Sequence, residues 1–136
     1  MAQTLPTDEV IGLGRTSLLH LPDGPELRRL EVNEGYWDER TQWPERMDGR
    51  LMSVFDYSAT WTWWERHPVG DEFVYVITGR VDFLLDDDRE QQSIALSPGE
   101  GTIVPQGVWH SAVLHRPSTM LFVTPTPART EHRDVT

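Results

Sequence analysis

Turn residues punctuate the second half of this chain at short, regular intervals. The apolar stretches EFVYVIT (Glu72–Thr78) and RVDFLLD (Arg80–Asp86) flank Gly79, and Gln92–Leu96 ends at a Ser-Pro-Gly turn. Thr102–Pro105, His110–His115 and Thr119–Pro125 follow, separated by further Gly and Pro. Upstream, LMSVFDY (Leu51–Tyr57) and the Trp- and Thr-rich ATWTWWE (Ala59–Glu65) have compositions that suit a pleated surface. Short strands spaced by roughly 8–12 residues, with turn residues between them, are the pattern of a β-sandwich or barrel. No long amphipathic helix, low-complexity segment or internal repeat competes with that reading. The chain reads as a small all-β barrel.

The two halves of the stretch around Gly79 are expected to form a hairpin. Residues 1–25 mix Pro, Gly and charge without a period and read as an N-terminal arm, leaving 26–136 for a single domain. Glu26–Tyr36 alternates weakly, Glu39–Arg50 reads as a polar loop holding one Trp, and the polar tail TPARTEHRDVT is expected to cover a sheet edge or fray. At 136 residues one domain is the simplest division, and a chain of this size buries on the order of two-thirds of its unfolded surface without a covalent staple.

Charge and residue usage exclude several classes of function. With 12 basic against 22 acidic residues, the formal net charge of −10 repels phosphate backbones and anionic lipid surfaces, so neither nucleic acid nor membrane is an expected partner. The absence of Cys removes disulfides, thiolate ligands and thiol nucleophiles. The first residues lack a basic start followed by an apolar core, and no stretch approaches the ~20 apolar residues of a membrane span. A cytoplasmic location is the expectation. No phosphate-binding loop, dinucleotide Gly fingerprint or nucleophile elbow is present.

One stretch carries chemistry. In WERHPVGDE (Trp64–Glu72) the carboxylates of Glu65 and Glu72 stand either side of the His67 imidazole. Taken alone, it is also what an ordinary polar turn looks like. Strand side chains alternate between faces, so Trp61, Trp63, Glu65 and His67 share one face, as an apolar wall leading to a polar mouth. Glu72 follows a Pro68–Gly70 turn, and His110 begins a strand after the Pro105/Gly107 turn. Paired around one barrel, Glu65, His67, Glu72 and His110 can converge. Two imidazoles and one or two carboxylates without sulfur suit Fe(II), Mn(II), Zn(II), Ni(II) or Co(II), and His67, Glu72 and His110 alone form a 2-His-1-carboxylate set with open positions. Trp61, Trp63 and Tyr75 are candidates for the wall of a substrate pocket, although each also reads as core packing. The run Asp86–Asp88 reads as a solvated turn, and His20, His115 and His132 have no partner legible in the sequence.

The same residues resemble the cupin family. Its first motif, G-x5-H-x-H-x3–4-E-x6-G, falls on residues 59–79, with His67, Glu72 and Gly79 at the required intervals. The second, G-x5-P-x-G-x2-H-x3-N, falls on 99–114, matched by Gly99, Pro105, Gly107 and His110. Three positions depart: Ala59 replaces the opening Gly, Glu65 the first His and Leu114 the final Asn. The resemblance, closest to the single-domain cupin 2 type, implies a double-stranded β-helix or jelly-roll barrel with a divalent metal inside. It also implies a homodimer, for which the N-terminal arm is a candidate contact. Glu65 can then be a fourth ligand, a catalytic base beside a three-ligand metal, or the mark of a site that has lost its metal. The expected function is a metal-dependent small-molecule enzyme, dioxygenase- or isomerase-like. The alternative is a non-catalytic cupin that binds a small ligand as a sensor or storage module.

Overall fold

A computed structural model describes residues 10–14, 17–31, 48–126 and 129–135. Most of the loop expected over Glu39–Arg50, and the end of the weak strand expected over Glu26–Tyr36, lie outside the described residues. Among those described there is no helix, and nine strands form one antiparallel sheet system. They are β1 (Ser17–Leu21), β2 (Arg28–Glu31), β3 (Arg50–Tyr57), β4 (Trp63–Arg66), β5 (Glu72–Asp86), β6 (Gln91–Leu96), β7 (Gly101–Val104), β8 (Trp109–Pro125) and β9 (Glu131–Asp134). The order β2-β1-β3-β8-β4-β9 forms one path. On β8's other side β5 pairs along the strand, carrying β7 beside its first half and β6 beside its second. The result is a jelly-roll barrel.

The region around Gly79 corrects the expected hairpin. Glu72 to Asp86 is one strand of 15 residues, and both of its halves run along the same partner, β8. Its register shifts between Val76 and Val81, as at a β-bulge. Gly79 sits there with φ +98, and a Cβ on it would lie 2.1 Å from Ser118 Oγ. Both the left-handed backbone and the close approach therefore require glycine. A hairpin reverses the chain, whereas this single residue slips the pleat. Before it, the even positions Glu72, Val74 and Val76 are buried; after it, the odd positions Val81 and Phe83 are. The slip keeps both halves aimed into the barrel. The expected strands His110–His115 and Thr119–Pro125 likewise fuse into β8.

The expected N-terminal arm also contributes to the sheet. Ser17–Leu21 pairs with β2 and β3, with Leu18 and His20 both buried. The C-terminal tail covers an edge as expected, through β9 on β4. Asp86–Asp88 forms a turn closed by its own carboxylates, including Asp88 N–H to Asp86 Oδ1 at 2.8 Å.

The core consists of Trp61, Val74, Val76, Val81, Phe83, Leu96, Val104, Ala112, Met120 and Phe122. Removing one such large side chain from water stabilises the fold by roughly 1.5–3 kcal/mol. Leu114, at the departing motif position, packs against this cluster. The outer edges β2 and β9 carry charges at Arg28, Arg29, Glu31, Glu131, Arg133 and Asp134, which discourages edge-to-edge pairing.

Candidate metal centre

Four elements bring the candidate ligands together. In β4 the alternation directs Glu65 inward beside Trp63, while Trp64 and Arg66 face the other way, where Arg133 of the neighbouring β9 lies over the Trp64 ring. His67 follows directly. Its carbonyl accepts from Gly107 N–H at 3.0 Å. Gln106 donates from its backbone to Asp71 Oδ1 at 2.8 Å and from its amide to Pro68 O at 2.7 Å. These bonds stitch the turn of the second motif to that of the first. Glu72 opens β5 in the inward phase, and His110 lies on β8 opposite Glu65 on one side and Leu85 on the other.

The four side chains meet in a buried space. His67 Nε2 is 3.0 Å from Glu72 Oε2, and His110 Nε2 is 3.2 Å from Glu72 Oε1 and 3.5 Å from Glu65 Oε2. His110 is fully buried, Glu72 is 3 % exposed and Glu65 is 22 % exposed. Donor atoms from Glu65, His67 and His110 lie within 4.8 Å of one another.

His67 Nε2, Glu72 Oε1 and His110 Nε2 nevertheless complete no hydrogen bond within the protein. Buried polar atoms left this way are costly. Ligands about 2.1 Å from a common divalent ion are separated by about 3.0–3.4 Å, close to the spacings found here. The donor set and its orphaned atoms fit a divalent metal.

The remaining ligand atoms are anchored by neighbours. Thr124 Oγ1 donates to Glu72 Oε2 at 2.8 Å, and Trp63 Nε1 donates to Glu65 Oε1 at 3.0 Å. Thr130 Oγ1 is 3.1 Å from His67 Nδ1, and His110 Nδ1 is 3.4 Å from Val108 O. Such outer partners orient metal-binding imidazoles and carboxylates.

Burial acts against charge at both carboxylates, but the approaching imidazoles outweigh it. Glu65 is held well below the ordinary carboxylate range beside His110 and His132, and Glu72 is lowered beside His110 and His67. Burial also works to lower His110, yet Glu65 and Glu72 carry it up to about 9.

Of the expected pocket residues, Trp61 and Trp63 stand beside the centre. Their rings stack at 4.9 Å, and Trp61 lies 6.4 Å from the His110 ring. Trp61 is 2 % exposed and belongs to the core cluster as well. Tyr75 is not brought to the centre. It alternates with the inward residues of β5 and packs beside Phe73 on the outer face.

Two further residues that the sequence did not single out stand near the centre. Tyr57 packs 5.3 Å from Trp61. Burial, and then the charges of Glu65 and Glu72, push its phenol well above the ordinary range. His132 Nε2 is 3.6 Å from Glu65 Oε1, across the β4–β9 pairing. Only the hydrophobic alternation of LMSVFDY hinted at the inward placement of Tyr57, and nothing hinted at that of His132.

Comparison with known proteins agrees with this architecture. The cupin domain model matches residues 52–124, more than half of the chain. A structure of oxalate oxidase with the substrate analogue glycolate superposes with a TM-score of 0.54 at 16 % identity, over 61 % of this chain and 45 % of that one. A structure of DMSP lyases gives 0.50 at 21 % identity, over 64 % and 44 %. A cupin-2 domain protein from Shewanella frigidimarina gives 0.48 at 22 % identity, over 56 % and 70 %. This chain therefore spans less than half the length of the oxalate oxidase and DMSP lyase chains. At these identities the likeness is one of fold. No curated protein sequence matches.

Proposed function

We propose that this chain, which belongs to the cupin domain family, is a metal-dependent enzyme acting on a small molecule. The observation that carries the reading is the set of buried, unbonded atoms on His67, Glu72 and His110. These three would hold a divalent ion, with Glu65 as a fourth ligand or as a base beside it. When bound, the metal supplies Lewis-acid polarisation of a substrate oxygen or, as Fe(II), a site for oxygen chemistry. The fold alone does not choose between them.

The protein's own groups divide the remaining work. Glu72 and His110 are deeply buried and locked by Thr124 and the Val108 carbonyl, so they set the charge and shape of the centre. Glu65 is the more exposed carboxylate, so it is the one a substrate held beside the metal would reach. The stacked indoles of Trp61 and Trp63 give one apolar wall, which favours a small organic ligand and excludes water. Tyr57 stays protonated and can donate a hydrogen bond to an oxygen near the carboxylates. A cytoplasmic homodimer is part of the proposal. The lack of Cys suits a reducing compartment.

The test is elemental analysis of wild type beside His110→Ala, purified without a metal-binding tag. About one equivalent of a transition metal per chain, lost in the variant, is expected. A folded wild type that takes up no metal after anaerobic loading with Fe(II), Mn(II), Zn(II) and Ni(II) would overturn the reading in favour of a ligand-binding module.

A further inference from the structure

Two of the four donors at the centre are tied to a segment that neither motif includes. Thr130 Oγ1 lies 3.1 Å from His67 Nδ1, and His132 Nε2 lies 3.6 Å from Glu65 Oε1. These residues are two apart, so along an extended chain they face the same side. The intervening and following residues, Glu131 and Arg133, face the other way and fasten the strand. Arg133 lies 4.6 Å above the Trp109 ring and 5.3 Å above that of Trp64, and its guanidinium donates to Asp86 Oδ2 at 3.0 Å. Arg66 covers Trp109 at 4.5 Å and pairs with Glu131. The strand thus has an anchoring face over two indoles and a second face turned to the ligands.

We propose that β9, together with Thr130 just before it, is a positioning element of the metal centre, with Thr130 orienting the His67 ring and His132 orienting the Glu65 carboxylate. The proposal rests on the reading of these residues as metal ligands. With Nε2 aimed at the centre, His67 keeps its hydrogen on Nδ1 and donates it to Thr130 Oγ1, which stops the ring from rotating. At Glu65, Trp63 and His132 both engage Oε1, which leaves Oε2 toward His110 and presents a single oxygen to the metal. The barrel strands alone hold Glu72 and His110; docking of the C-terminal strand completes the set.

The test uses full-length Thr130→Val and His132→Ala, with Co(II) as the probe and its visible absorption spectrum and binding isotherm as readouts. Thr130→Val keeps the shape and removes the hydroxyl. Each variant should weaken Co(II) binding on the order of 10- to 100-fold, the range for lost outer-sphere partners, and should change the Co(II) bands. Thr130→Ser and His132→Gln should restore both, and Glu31→Gln, on the opposite edge strand β2, should change neither. If His132→Ala fails to fold, Thr130→Val decides. Wild-type affinity and spectrum in the variants would overturn the role of β9 while leaving the metal reading intact. A folded wild type that binds no Co(II) overturns both.

Discussion

The centre has two flanks built in different ways. Glu72 and His110 come from the two longest strands, β5 and β8, which pair over most of their length. Both are almost completely buried, and Phe83 stacks on the His110 ring at 5.6 Å. Glu65 and His67 come from the short β4 and the turn after it, near the sheet's edge. Glu65 is 22 % exposed, and its neighbours include an edge strand of 4 residues. One flank is rigid because the core holds it. The other is placed by a few polar contacts, so it is where metal affinity and reactivity can change without rebuilding the barrel. The departure from the family's motif, Glu65 in place of His, falls on this second flank.

The largest expected contrast is between the two carboxylates. Glu72→Gln should reduce metal affinity at least 100-fold, because it removes charge where no solvent can compensate. Glu65→Gln should cost on the order of 10-fold. Calorimetric titration with Mn(II) or Co(II) measures both, and equal losses would erase the distinction between the flanks.

Phe83→Ala should destabilise the fold by about 3–5 kcal/mol through the cavity it leaves. It should also loosen His110, so metal affinity falls along with the urea midpoint. An unchanged metal affinity would show that the core does not stiffen the first flank. Gly79→Ala should cost at least about 1–3 kcal/mol from the left-handed backbone alone, with the Ser118 clash added. Pairing it with Ser118→Gly should recover part of the clash and none of the backbone strain.

The metal-free protein should be pH-sensitive because of His110. Its folded pKa, about 9, lies above the ordinary imidazole value of 6.5, so the folded state binds more protons between those values. Stability from this group is complete below about pH 6.5 and is lost as pH rises through 9, by an amount on the order of a few kcal/mol. Urea unfolding in a chelator across this range measures it, and His110→Gln should flatten the slope. The smallest effect belongs to the anchoring face. Glu131→Gln weakens a partly exposed pair with Arg66 and should cost less than about 1 kcal/mol.

Much of the fold was legible because period-2 alternation and turn residues are local properties. The strands Leu51–Tyr57, Gln92–Leu96 and Thr102–Pro105 appear within a residue or so of their expected bounds. Gly79 was recognised as a special position, but its meaning was not. A bulge and a hairpin both call for a residue with positive φ, and they differ only in whether the chain turns back or continues along β8. The N-terminal strand Ser17–Leu21 was missed because its five residues gain their order from two partners distant in sequence, β2 and β3.

The candidate centre divides along the same line. Spacing in the chain determined which types of donor are available: two imidazoles and two carboxylates, no sulfur, set beside turns that place them at strand ends. The tertiary structure decided their surroundings. It turned Tyr75 to the outside because its position in β5 has the opposite parity to Glu72. It placed the Tyr57 phenol near the carboxylates, and it folded the C-terminal strand back so that Thr130 and His132 reach residues more than sixty positions earlier. Periodicity within a strand reports which side chains share a face, but strand pairing determines what that face meets.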